Sequence, residues 1–293
     1  MTFSIIAHDP ESGDLGIAVA SKFPNVGVVI PFAKAGVGAI ATQSYCNTSF
    51  GPRGLALLEN GASPAQVIEI LIATDPNRED RQVGVVDAQG RSATFTGQHC
   101  FDWCGGVTGP HFAAQGNTLA CDAVVSKMVE VVNTQTQALP ERLLAALSAG
   151  QAAGGDRRGQ QSAALLVVRA GGGYAGFDDR YAAISVYDHV TPVVELQRLY
   201  GVHQLTYFRS DPARLRLIDP ALATELQQLL SARGFYSGPI DGAYGLASKQ
   251  ALHDFMGWEN YDARMREDEQ IDLDVLADMR VKHAHWLAEH APD

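Results

Sequence analysis

No stretch of this 293-residue sequence is both long and apolar enough to cross a bilayer. The longest uncharged stretches, 35–52 and 103–121, are full of Gly, Thr, Ser and Asn. Clustered basic residues are missing as well. Lys and Arg number 22 against 33 Asp and Glu, a net charge of −11. Release of counterions from a phosphate backbone needs grouped cations, so neither nucleic acid nor an anionic membrane is an expected partner. Cysteine is scarce: Cys46, Cys100, Cys104 and Cys121 are the whole set, too few for a disulfide framework in a chain this long. The start of the chain has no basic segment and only a short apolar run before Asp9, so the expected location is the cytoplasm. There is also no Walker sequence, no dinucleotide fingerprint after a strand and no Gly-x-Ser-x-Gly elbow.

What is present supports folded domains. Hydrophobic residues make up 46% and charged residues 19%, enough for a sizeable core. The length suits two domains. Residues 3–7 are apolar, Asp9 to Asp14 supply a turn, and Leu15 to Ser21 follow as a second strand, which together predict a hairpin. In the second strand Leu15, Ile17 and Val19 share one face, while Gly16, Ala18 and Ala20 share the other. Neither face is polar, so both are expected to be buried, with the small face allowing close approach of another layer. Gly36 to Thr42 repeats the pattern. Strands buried on both sides imply sheet against sheet with helices outside.

Helical spacing is seen over 52–60 and 64–73, over 122–132 behind an Asp122 cap, and over 140–149 from Pro140 to a stop at Gly150. A hairpin is expected over 81–97, turning at Asp87 to Gly90, with strands at 162–169 and 182–187. After about residue 195 the chain becomes more polar. The domain expectation is a sandwich over 1–195, a connector over 196–218 and a helical unit over 219–293.

The helical unit opens with Asp219-Pro220, an N-cap followed by proline at the first helical position. It continues with Leu226-Gln227, Leu230, Gly234-Phe235, Gly238-Pro239-Ile240-Asp241-Gly242, Tyr244-Gly245, Ser248, Ala251 and Phe255. Order and spacing resemble the peptidoglycan-binding helical repeat, except that Ser248 and Met256 stand where Thr and Gln are usual. The resemblance implies Asp241 and Tyr244 as candidate binding residues and peptidoglycan fragments as candidate ligands.

Three segments carry a second resemblance: Phe3 to Ala7 with Gly16 to Phe23; Ala41 to Ser44 with Asn47 and Gly51 to Gly54; and Gly150 to Ala164. Together they resemble the bacterial DUF1028 family of uncharacterised proteins. Its grouping with N-terminal nucleophile hydrolases implies a four-layer αββα sandwich. It also implies cleavage of a small amide or peptide by the first residue of the mature chain. Thr2 is the residue placed for that role, provided Met1 is removed. Its hydroxyl needs a base, and an α-amine with a pKa of about 7.7–8.0 can serve. By the same logic Lys22 and Lys34 are candidate cations beside the nucleophile. Gly36 and Gly38 are candidate oxyanion donors. Asp156 and Arg157 are a candidate ion pair or site for an acidic substrate group.

His99, Cys100 and Cys104, with His111 and Cys121 downstream, have some zinc-like spacing, but adjacent ligands at 99 and 100 are awkward. No metal and no cofactor are expected. The alternative to a hydrolase is a non-catalytic protein on the same fold that binds a muropeptide, a peptide or a partner. A homodimer is a further expectation.

Overall fold

The structure is a computed structural model and describes residues 2–290. It divides into two compact units, Met1–Tyr200 and Gly201–Asp293. In the first, strands β1 (Thr2–His8) and β2 (Leu15–Ser21) form the predicted hairpin. Then come β3 (Pro31–Lys34), β4 (Gly38–Ser44), helices α1 (Phe50–Glu59) and α2 (Pro64–Ala73), β5 (Arg81–Asp87) and β6 (Ser92–Thr96). The unit continues through β7 (Gly105–Gly109), β8 (Phe112–Asn117), α3 (Ala123–Thr134), α4 (Leu139–Ala152), β9 (Ser162–Val168) and β10 (Arg180–Val186).

One sheet has the order β10-β9-β2-β1-β8-β7 and the other β3-β4-β5-β6; every pairing is antiparallel. The sheets pack face to face, with α3 and α4 on the outer face of the first and α1 and α2 on that of the second. The result is a mixed α and β unit in four layers. β1 lies in the interior of the six-stranded sheet and is buried along its whole length.

The alternation along β2 explains this layering. Ile17, Leu15 and Val19 join Ile6, Ala39, Ala41 and Val86 in the core between the sheets. The small face lies under α4: a Cβ on Gly16 would come within 2.6 Å of Leu143 Cδ1. Close approach also explains Gly150, which does not stop its helix. α4 runs on to Ala152, and a Cβ at Gly150 would meet Met128 of α3 at 2.9 Å and Phe3 of β1 at 3.3 Å. Glycine is kept there for contact, at a cost of about 1 kcal/mol in helix propensity. Asp122 precedes α3 in helical conformation and makes no side-chain cap.

Strands β3, β7 and β8 carry weak sequence signals, being short, glycine-rich or built of small residues. The expected connector is in part helical. α5 (Pro192–Tyr207) covers its first half, burying Pro192, Val193, Leu196 and Tyr200, and the boundary between the units falls after Tyr200.

The second unit pairs two short strands, β11 (Leu215–Leu217) and β12 (Gln270–Asp272), and packs α6 (Pro220–Ala232), α7 (Leu246–Trp258) and α8 (Leu273–Glu289) around one core. Asp219 caps α6 by accepting from the Leu222 N–H at 2.8 Å, with Pro220 at the first helical position. Leu222, Leu226, Leu229 and Leu230 meet Leu252, Phe255, Val275 and Met279 in that core. Among the described residues no helix is long and apolar enough to cross a membrane.

Candidate functional site

The space between the sheets changes character along its length. At one end it is apolar, filled by Ile6, Leu15, Ala39, Val86 and Ala113. At the other, the inward positions become polar. Strand pairing sets Asn117, Thr2, Ser21 and Ser162 side by side across β8, β1, β2 and β9. In the next row Gln115 lies opposite Ser4. The facing sheet contributes Gln43 from β4 and Gln82 from β5. All eight side chains are buried.

Buried amides and hydroxyls are tolerated when they satisfy one another. Here Gln115 Nε2 donates to Ser4 Oγ at 2.6 Å, and Ser4 Oγ donates to Gln43 Oε1 at 2.7 Å. Gln43 Nε2 donates to the Thr2 carbonyl at 3.2 Å and to Gln82 Oε1 at 2.8 Å. Gln82 Nε2 donates to the carbonyls of Gly116 and Gly105 and to Thr96 Oγ1, which fixes its Oε1 toward Gln43 and Asn117. Asn117 must therefore present its Nδ2 to Gln82, at 2.8 Å. That leaves Asn117 Oδ1 buried with no partner, and Thr118 Oγ1 beside it in sequence is buried and unpartnered too. Asn117, which carries the first of these orphaned atoms, is the β8 partner of Thr2.

Thr2 is 3% exposed, and its hydroxyl donates to Ser21 Oγ at 3.1 Å. Met1, whose removal the nucleophile reading requires, lies outside the described residues. Lys22 follows Ser21 and so stands at this end of the sandwich. Its backbone N–H donates to Asp156 Oδ2 at 3.1 Å, while its exposed ammonium reaches the Gln160 carbonyl at 3.2 Å.

Lys34 is a correction. It sits at the β3–β4 turn opposite Gly38 and is ion-paired with Glu59 on an exposed surface. Gly38 is five positions from Gln43 along β4, about 17 Å at the rise of a strand. Gly36 and Gly38 are set aside as oxyanion donors for the same reason. The hairpin carries all three to the far end of the sheet. Among the described residues no lysine is buried in the polar layer.

The Asp156 pairing also differs from expectation. Its carboxylate is buried and takes a two-point contact from Arg158, at 3.1 Å and 2.7 Å, whereas Arg157 uses its backbone N–H to bind the Thr118 carbonyl and leaves its side chain exposed. Asp156 therefore ties the loop before β9 to the end of β2, and Arg157 is the exposed cation beside Thr118.

The cysteines and histidines do not converge. His111 Nδ1 meets His8 Nδ1 at 3.0 Å, His99 pairs with Asp80, and Cys104 Sγ contacts the Cys100 carbonyl. Among the described residues no group of three or more His, Cys, Asp or Glu side chains is arranged to hold a metal ion. Burial raises the Cys46 and Cys100 thiols above their ordinary pKa, which disfavours the thiolate.

In the second unit the loop 238–245 is organised by a fully buried Gln227. Its Oε1 accepts from the N–H groups of Asp241 and Gly242, and its Nε2 donates to Asp241 Oδ1, the Ala243 carbonyl and Ser248 Oγ. Ser248 thus supplies the hydroxyl this network needs. Asp241 itself is exposed, its pKa lowered by the Ala243 N–H and by Gln227. Tyr244 packs partly against the core, and burial pushes its hydroxyl up to about 12. Asp241 thus braces the loop, and Tyr244 packs it against the core.

The first unit therefore belongs to a class of four-layer proteins with two facing antiparallel sheets and a buried polar layer at one end. The chain is a member of the DUF1028 family, described as a family of unknown function, which matches residues 2–196. Residues 207–279 match the family described as "Putative peptidoglycan binding domain". The chain is similar to the crystal structure of protein SPO2555 from Silicibacter pomeroyi, also assigned to DUF1028. Identity is 32%, the alignment covers 69% of this chain and 86% of that one, and the TM-score is 0.64. A comparison with curated proteins finds no match.

Proposed function

We propose that the first unit is an amide hydrolase of the N-terminal nucleophile type, acting on a small amide or peptide, with Thr2 as nucleophile. The carrying observation is the place of Thr2: first residue of an interior strand, buried between two sheets, in a row of polar side chains that includes the unsatisfied acceptor Asn117 Oδ1. Removal of Met1 frees the Thr2 α-amine. That amine takes the hydroxyl proton as Oγ1 adds to the amide carbonyl, then returns it to the departing amine. Water hydrolyses the resulting ester and restores Thr2. No lysine assists from within the layer, so the amine is the base and Arg157 supplies the cation for an acidic substrate group.

In this reading the second unit brings the chain to peptidoglycan or its fragments, which the family match over 207–279 supports. Intact mass of the native protein is the first test, and a mass that includes Met1 removes the hydrolase reading. If Met1 is absent, wild type is expected to cleave members of an amide library that Thr2→Ala leaves intact. A protein that keeps Met1 yet is retained on purified peptidoglycan is better described as a binding protein on the same fold.

A further inference from the structure

The strands that frame Thr2 each lead into an aromatic residue. Phe23 lies two positions beyond Ser21, the β2 partner of Thr2. Tyr45 lies two positions beyond Gln43, which holds the Thr2 carbonyl. The Phe101 carbonyl accepts from the N–H of Thr118, next to Asn117, the β8 partner of Thr2. The three backbones are tied down: Ser162 Oγ donates to the Phe23 carbonyl, Arg81 Nη1 to that of Tyr45, and Thr118 N–H to that of Phe101. The three residues nonetheless remain 50%, 61% and 49% exposed. One exposed aromatic is ordinary, but three carried by segments that all leave the Thr2 end of the sheets mark a candidate contact surface. β2 and β8 both neighbour β1, so they are about 10 Å apart, and the facing sheet is about 10 Å across. The three segments therefore leave the sheets within a small ligand's reach of the Thr2 end.

The polar half of the surface is set by the buried orphans. Asn117 Oδ1 is an acceptor without a donor, and the Thr118 hydroxyl at the same end, which can donate or accept, has no partner. A ligand that satisfies the whole site carries an N–H group for Asn117 Oδ1, a polar atom for the Thr118 hydroxyl and an apolar ring for the collar. We infer that the Thr2 end binds amides or short peptides bearing an aromatic side chain, with Phe23, Tyr45 and Phe101 as the specificity-determining collar. This rests on the Thr2 end being the ligand site, as proposed above. It goes further by naming the substrate class.

The test uses N-acetyl-L-phenylalaninamide and N-acetyl-L-alaninamide, which share the same N–H groups and differ by one phenyl ring. Each is titrated by ligand-observed NMR into the full-length protein, both wild type and Thr2→Ala, so that binding is read with and without the nucleophile. The phenylalanine amide is expected to bind at least tenfold tighter. Phe23→Ala, Tyr45→Ala and Phe101→Ala are each expected to weaken it threefold or more and to leave the alanine amide unchanged. The three residues are half exposed, so these variants are expected to fold, with melting temperatures close to wild type as the check. Equal affinity for the two amides overturns the inference, as does an equal loss for both in the collar variants. Aromatic-selective binding without turnover would sustain the collar and count against the hydrolase. Turnover of both amides at equal rates would do the reverse.

Discussion

Replacing Gln82 by Leu tests whether the polar layer holds the two sheets together. Gln82 Oε1 receives Gln43 Nε2 and Asn117 Nδ2, and Gln82 Nε2 reaches the carbonyls of Gly105 and Gly116 in the opposite sheet. Leucine has a similar size, so no large cavity opens and the loss is polar. Gln43 Nε2 keeps the Thr2 carbonyl, but Asn117 Nδ2 has no second partner. One or two buried groups left unsatisfied at about 1–3 kcal/mol each gives a loss of about 1–6 kcal/mol. Against a typical stability of about 5–15 kcal/mol, that is a large fraction. Urea unfolding at neutral pH reads it as a lower midpoint with an unchanged slope. A loss below about 1 kcal/mol would refute the claim that this amide is the joint between the sheets. The same variant is expected to lose any activity that depends on Thr2, because Gln43 then has one anchor fewer.

Two further outcomes are expected. Arg81 donates to Asp75 and, with burial opposing, draws its carboxyl down from 3.8 to about 2. A depressed folded-state pKa gives stability that is present above pH 3.8 and is lost as pH falls toward 2, at most about 2 kcal/mol here. The stability gap between wild type and Asp75→Asn should therefore narrow between pH 4 and pH 2 in urea titrations, and a gap independent of pH would contradict the pairing. Gln227→Leu leaves the Gly242 N–H without its acceptor in a buried position, so thermal unfolding of the second unit in the full-length protein should come earlier by about 1–3 kcal/mol of stability. An unchanged transition would mean that the loop 238–245 orders itself without it.

The legibility of this chain follows the sequence separation of its contacts. The β1–β2 hairpin is readable because its turn and its alternating faces lie within twenty residues. The loop at 238–245 is readable for the same reason, since Gln227 meets it only 14 to 16 positions away. The polar row is not. Thr2, Ser21, Asn117 and Ser162 become neighbours through a strand order that brings β8 and β9 back beside β1 and β2. The signal that was available is the replacement of apolar residues by Ser, Gln or Asn at alternate positions near one end of each strand. Lys34 shows the opposite error. It is close in sequence to strands that touch β1, but a hairpin reverses direction, and residues at its turn end up at the end remote from Thr2.

The polar layer is hard to explain by stability alone. Apolar side chains already join the sheets at the other end, where Ile6, Ile17 and Val86 meet, and similar packing could continue along the same strands. A polar network inside a core gains little over such packing even when complete. This one is incomplete at Asn117 Oδ1 and Thr118 Oγ1, each a buried polar atom that costs about 1–3 kcal/mol if it stays dry and unpaired. Both gaps fall at the end where Thr2 begins its strand and where three aromatic residues stay half exposed. A scaffold that only needed to hold its sheets together would gain by closing those gaps. Their position at the end that holds the buried Thr2 hydroxyl is what a site kept for a hydrogen-bonding ligand requires.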